Sequence, residues 1–211
     1  MKVTISKFQE LYKISIMDIN EAEKSSLLVQ EFTGMSQERI NNMPLKRFNK
    51  ICAIINQKFE RYGKELDNKK PQKFVVVKGR IYLLEYDLAK PPMNAGKYVE
   101  LATYSEDVIG NLHKIMATMC TPLKLTYKGL KRKDKNHSQV AEDMLDIDFE
   151  VAYQSAVFFY AVFSKSIQSL TTYFQTIAPQ EKKVAQVLMN LAEYTDGFIT
   201  AKWYKNLKVL A

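Results

Sequence analysis

The sequence predicts an α+β protein, predominantly α. It has an N-terminal small helical bundle, a central small antiparallel sheet and a C-terminal long helical hairpin. Three observations predict this. Apolar residues recur at helical spacing through the first 63 residues and again from Phe149 onward. Between them lies a β-rich run, FVVVKGRIYLLEY. Glycine (7) and proline (6) are scarce in 211 residues, which favours long helices over a loop-rich or all-β chain. The chain divides into 1–66, the N-terminal helical region; 67–136, a β-hairpin or sheet with a helix and a basic loop; and 137–211, the C-terminal helical hairpin.

From the N-terminus, Lys2 to Ile5 alternates and predicts a short strand. Ser6 is placed to cap a helix that turns Phe8, Leu11, Tyr12 and Ile14 inward. Asp18 with Glu21 has the form of a capping box for a helix over 19–33, stopped by Gly34. A short helix follows over 36–42. Pro44 then opens a stronger one, with the seam Phe48, Ile51, Cys52, Ile55 and Phe59, stopped by Gly63.

In the middle, Lys78-Gly79 between two apolar runs is a hairpin signal. KYVELATYS predicts a third strand. Ser105, followed by Glu106 and Asp107, predicts the cap of a helix carrying Val108, Ile109, Leu112, Ile115, Met116 and Met119 and ending at Pro122. The stretch from Thr121 to His137 holds six Lys or Arg against one Asp, and reads as a basic loop.

The last region carries a charge desert. From Val151 to Gln180 there is one charged residue, Lys165. Its uncharged runs are shorter than the ~20 predominantly apolar residues a membrane span needs, so no span is expected. Phe149, Tyr153, Ala156, Tyr160, Phe163, Ile167, Leu170, Phe174 and Ile177 alternate by four and three, the seam of one long helix. Phe158, Phe159 and Val162 form a second apolar face, which calls for cover from the bundle or from another subunit. After Pro179, Val184, Val187, Leu191, Tyr194, Phe198 and Ala201 continue a helical pattern antiparallel to the first. The basic end carries Trp203 and Tyr204. The candidate protein interface is therefore Phe158, Phe159, Val162, Trp203 and Tyr204.

The net charge of +8 invites an acidic partner. Lysine outnumbers arginine 26 to 5, however, and arginine is the better reader of bases and clamp for phosphates. Lys124, Lys128, Lys131, Arg132, Lys133 and Lys135 are the candidate contacts to nucleic acid or an acidic protein face, with nucleic acid not favoured. Tyr127 lies among them without the aromatic interleaving that stacks bases.

No catalytic residue and no metal ligand is expected. His113 and His137 stand outside any metal-ligand spacing, and phosphate loops, HExxH, CxxC and nucleophile-elbow motifs are absent from the sequence. Asp143, Asp146, Asp148 and Glu150 read as acid at a helix N-terminus. Cys52 and Cys120 read as buried free thiols. No secretion signal is expected, since a basic stretch followed by an apolar run is missing.

The opening VTISKFQELYKI, the charged helix after it and EFTGMSQERINNMPLKRFNKI resemble a pattern in small proteins of tailed bacteriophages. There a strand and helix are followed by a short helix and an L-P-L helix start. VAYQSAVFFYAVFSKSI is similar to an a-x-FFF helix of such proteins, including those of crAss-like phages of gut bacteria. The resemblance covers residues 1–62 and 145–177. Met43 stands where such proteins often have Leu, and the β-rich middle and the basic stretch have no counterpart. It implies a non-enzymatic virion component: structural, cargo or tail-assembly chaperone. The expected partners are other virion or assembly proteins, further copies of the chain among them, and with no ligand or nucleophile motif in the sequence no cofactor is expected. The place of such a protein is the virion, or the host cytoplasm during assembly.

Overall fold

In the computed structural model the described residues are 2–65, 71–86, 100, 101, 103–105, 107–134 and 136–160. The protein is mixed α and β, mostly helical, with one four-stranded antiparallel sheet. The described residues fall into two compact units, 2–65 with 148–150, and 71–147 with 151–160. The expected C-terminal hairpin beyond residue 160 lies outside the described residues.

The first unit holds four helices: α1 (Ile5–Ser15), α2 (Glu21–Thr33), α3 (Gln37–Asn41) and α4 (Leu45–Glu65). Each of the first three starts on a polar side chain that accepts from a backbone N–H two or three residues into the helix. Thr4 does this for α1, Asn20 for α2 and Ser36 for α3. The caps at Thr4 and Asn20 correct the expected Ser6 and Asp18. The expected strand over residues 2–5 is reduced to one bridge, Thr4 to Asp148, because Ile5 already turns into α1. Gly34 closes α2 with φ 73°, a left-handed turn that glycine adopts without a Cβ clash. Gly63 does not stop α4, which runs on through Glu65. An isolated glycine weakens a helix by about 1 kcal/mol without ending it.

The core of this unit is the predicted seam. Ile5, Phe8, Leu11, Leu28, Val29, Cys52, Ile55 and Phe59 are all buried. Phe8 meets Phe59 edge-on, with ring centroids 6.1 Å apart, and stacks on Phe149 at 3.5 Å and 11°. Burying each such side chain contributes about 1.5–3 kcal/mol. Phe149 N donates to Val3 O at 2.8 Å, and Arg61 pairs with Glu150 at 2.7 Å. Residues 148–150 are thereby tied to both ends of the bundle sequence.

The second unit is built on a sheet of β1 (Phe74–Val77), β2 (Arg80–Leu84), β3 (Cys120–Thr126) and β4 (Gly129–Arg132), in the order β1-β2-β3-β4. Lys78 (φ 49°) and Gly79 (φ 72°) make the two-residue turn that the sequence signals. Both residues are left-handed, the twist that matches a hairpin. Between β2 and β3 comes α5 (Val108–Met119), capped by Asp107 rather than Ser105. Asp107 Oδ1 accepts from Gly110 N at 2.9 Å. After β4 comes α6 (His137–Met144), capped by Asn136. The chain is helical again over 149–160, with 151–160 in this unit.

Two expectations are corrected here. Residues 100, 101 and 103–105 are helical and not a third strand; Leu101 is buried, and its carbonyl accepts from Tyr160 Oη at 3.4 Å. The third and fourth strands come from the stretch read as a basic loop. TPLKLT alternates apolar with other residues, and Gly129 at φ 104° lets the chain reverse onto LKR. The lysine content masks the alternation.

Candidate functional site

The pleat of the sheet sorts its residues into two faces. Val75, Val77, Tyr82, Leu84 and Cys120 form the inner, buried face. Cys120 Sγ lies 3.7 Å from Met144 Sδ of α6. The outer face follows from the register. Phe74 lies opposite Leu83, Val76 opposite Ile81, Ile81 opposite Leu123, and Leu125 opposite Leu130. Paired residues share a face, so these make apolar rows, aliphatic but for Phe74. Part of this face is unshielded: Val76 is 69% exposed, Leu125 74% and Leu130 46%, whereas Ile81, Leu83 and Leu123 are half-buried.

β2 pairs with β3 only over Cys120–Leu123, so the far part of β3 is paired with β4 alone. This part of the hairpin is exposed on both sides. One side carries Leu125 and Leu130; the other carries Lys124 and Lys131, which face each other across the ladder. Tyr127 at the turn is 93% exposed, with Lys128 Nζ 5.4 Å from its ring centroid.

The expected site residues scatter. Lys124, Lys128, Lys131, Arg132 and Lys133 do gather on this hairpin and its exit, all exposed; Lys135 lies outside the described residues. Arg132 is already engaged, its Nη2 2.6 Å from Glu85 Oε1, while Glu85 Oε2 accepts from Thr121 Oγ1 at 2.9 Å. Val162, Trp203 and Tyr204 also lie outside the described residues. Phe159 is 3% exposed, buried inside the chain with Tyr160 beside it. This removes it from the expected protein surface: helix 151–160 is covered on more than one side by its own chain. Phe158 stays 41% exposed and packs edge-on against Tyr86, with centroids 5.1 Å apart. The Tyr86 hydroxyl lies 2.9 Å from Gln72 O and 3.0 Å from Ser155 Oγ, and burial pushes its pKa up to about 12.

No spacing in the sequence points to the polar cluster of this unit. Asp143, expected as helix N-terminal acid, sits at the end of α6 with its side chain 2% exposed. Its Oδ2 accepts from Arg80 Nη1 at 2.6 Å and from the Tyr82 hydroxyl. Burial pushes the Asp143 carboxyl up. Donation from Tyr82 and Arg80, with the nearby Arg80 and Lys78 charges, outweighs this and holds it below the ordinary carboxylate range. Tyr82 is pushed up to about 12 by burial and by that carboxylate. Lys78 pairs with Asp146 at 2.6 Å. The partners are some sixty residues apart in sequence and cannot be paired by spacing. Chemically the cluster is closed: the donors saturate Oδ2 and the Tyr82 hydroxyl is buried, so it clamps α6 to the sheet.

His137 Nε2 is 3.1 Å from Thr118 Oγ1 and 4.0 Å from Glu100 Oε2, and burial lowers the His113 pKa. Among the described residues no three His, Cys, Asp or Glu gather as metal ligands, and no helix is long and apolar enough to cross a membrane. Both cysteines are free and buried. In the first unit a cleft of 470 Å³ is lined by residues that include Met35, Arg39, Met43 and Arg47, at the junction of α3 and α4. Compared with protein families, with curated proteins and with solved structures, the chain gives no match.

Proposed function

We propose that this chain is a non-enzymatic component of a tailed-bacteriophage particle or of its assembly, whether structural, cargo or chaperone. It works through contacts with other proteins, in the virion or in the host cytoplasm during assembly. The phage assignment rests on the resemblance of residues 1–62 and 145–177. The observation that carries the binding mode is the outer face of the sheet, where Val76 stands exposed on β1 and Leu125 and Leu130 stand exposed opposite each other on β3 and β4. Exposed apolar rows of this kind cost solubility unless a partner covers them.

A second reading has its own observation. Lys124, Lys128, Lys131 and Lys133 are exposed and form no ion pair among the described residues, as a nucleic-acid contact requires. The projecting hairpin that carries these lysines offers bases one ring, Tyr127, beside the aliphatic Leu125 and Leu130, so protein contact is preferred. Mass spectrometry of purified particles and of their assembly intermediates tests the proposal. Finding the chain there in defined copy number, cross-linked to other proteins, is the expected result. Its absence from both, or cross-links to nucleic acid alone, overturns it.

A further inference from the structure

We propose that the projecting part of the β3–β4 hairpin is an insertion arm that docks into an acidic cleft of a protein partner, one wall of the cleft apolar and the other carboxylate-bearing. The inference rests on the protein-binding reading above and adds the chemistry of the partner.

Three features of the hairpin point to this occupant. First, both of its sides are exposed, Leu125 and Leu130 on one and Lys124 and Lys131 on the other. Second, its two sides differ in kind, Leu125 with Leu130 on one and Lys124 with Lys131 on the other. A flat partner touches one side of a two-stranded ribbon; a cleft touches both. Third, Lys124 and Lys131 are directly opposite each other across the ladder. Like charges in that position oppose pairing, and no acid is paired with either among the described residues. A carboxylate wall placed against them would turn the repulsion into two ion pairs.

The same features argue against other occupants. A second copy packed on the lysine side would bring lysines against lysines, and one packed on the leucine side would leave both lysine pairs without a counter-charge. A single nucleic-acid strand on the lysine side would leave the leucines bare, with Tyr127 alone at the turn for stacking. An anionic bilayer would meet lysines or leucines, but not both, since they lie on opposite sides of the ribbon. Extended-strand addition to the edge of β4, the last strand of the sheet among the described residues, would leave both sides uncovered.

The test uses the full chain and four probes. One is a designed two-helix peptide with leucines on one wall of its groove and glutamates on the other. Its control has lysines in place of the glutamates. The others are a thymidine oligonucleotide and vesicles containing phosphatidylglycerol. The expected result is salt-sensitive binding of the glutamate peptide in preference to the other three. Lys124→Ser with Lys131→Ser, and separately Leu125→Ser with Leu130→Ser, should each weaken it by about tenfold or more. Lys131→Glu should abolish binding while the thermal midpoint holds or rises, because it replaces a repulsive cross-strand pair with an attractive one. That separates lost contact from lost folding.

Tighter binding of the oligonucleotide or the vesicles overturns the proposal. So does indifference of the peptide to either pair of substitutions, or equal binding of the glutamate and lysine peptides. The reading of the chain as a particle component is judged separately, by its presence in particles. A chain found there with a hairpin that ignores the peptide retains that reading and loses this inference.

Discussion

Removing the Asp143 carboxylate should destabilise the sheet unit strongly, and the structure sets the size. In Asp143→Ala the Tyr82 hydroxyl loses the acceptor it has in a buried site. An unsatisfied buried group costs about 1–3 kcal/mol, and the lost charge-assisted bond is worth about 1.5–3 kcal/mol. These overlap, so the expected loss is about 3 kcal/mol, at the lower end of the about 3–5 kcal/mol for removing one partner of a buried pair. Arg80, half-exposed, is re-solvated and adds little. Asp143→Asn keeps an acceptor for Tyr82 and should cost about 1 kcal/mol. Tyr82→Phe, which removes the donor and leaves no orphan on the ring, should cost a similar ~1 kcal/mol. In the double variant Asp143→Leu with Tyr82→Phe, an apolar pair replaces the polar one, and much of the loss should return.

The assay is urea unfolding followed by circular dichroism, with the slope checked for constancy. Acid adds a second arm. The Asp143 carboxyl titrates lower folded than unfolded. Its contribution is therefore fully present above the unfolded value of about 3.9 and is lost as pH falls through the lower folded value. Asp143→Asn should lack that part of the acid loss. An Asp143→Ala variant within about 0.5 kcal/mol of the parent, the range of ordinary surface changes, would refute the clamp.

Other expected outcomes follow from single observations. Phe8→Ala, which empties the space between Phe59 and Phe149, should cost about 3–5 kcal/mol in the same unfolding assay. Thr4→Ala should cost about 1 kcal/mol through loss of the α1 cap, and Ser6→Ala within about 0.5 kcal/mol of nothing; the reverse order would show that the cap is misassigned. Changing Lys124, Lys128, Lys131 and Lys133 together to Gln should flatten the salt dependence of whatever DNA binding the chain shows, by a slope of about 3–4. That binding should be micromolar or weaker, on the order of non-specific contacts at physiological salt. A nanomolar, salt-resistant complex would favour the nucleic-acid reading over the protein one.

What the sequence determined by itself is what short-range physics decides. The helices α1 to α4 were legible because their apolar residues recur every three or four positions, and a helix buries one face whatever it packs on. The turn at Lys78-Gly79 was legible because a glycine, which takes a left-handed position without a Cβ clash, falls between two β-rich apolar runs. The seam of Phe149, Tyr153, Ala156 and Tyr160 was legible for the same reason as the helices, and these residues are buried. Tertiary structure decided the rest. Thr4 caps α1 in place of Ser6 because the adjoining bridge to Asp148 sets where the helix can begin, and no local pattern contains Asp148. Phe159 is buried and Phe158 is not, although they are neighbours of one kind, because cover arrives from elsewhere in the chain. Residues 120–132 become strands because β2 supplies hydrogen-bond partners along Cys120–Leu123, and pairing with a remote strand overrides the loop-like look of a lysine-rich run. The Asp143 cluster is the extreme case: a carboxylate placed by α6 meets two donors placed by β2, and only the folded chain brings them within hydrogen-bond reach.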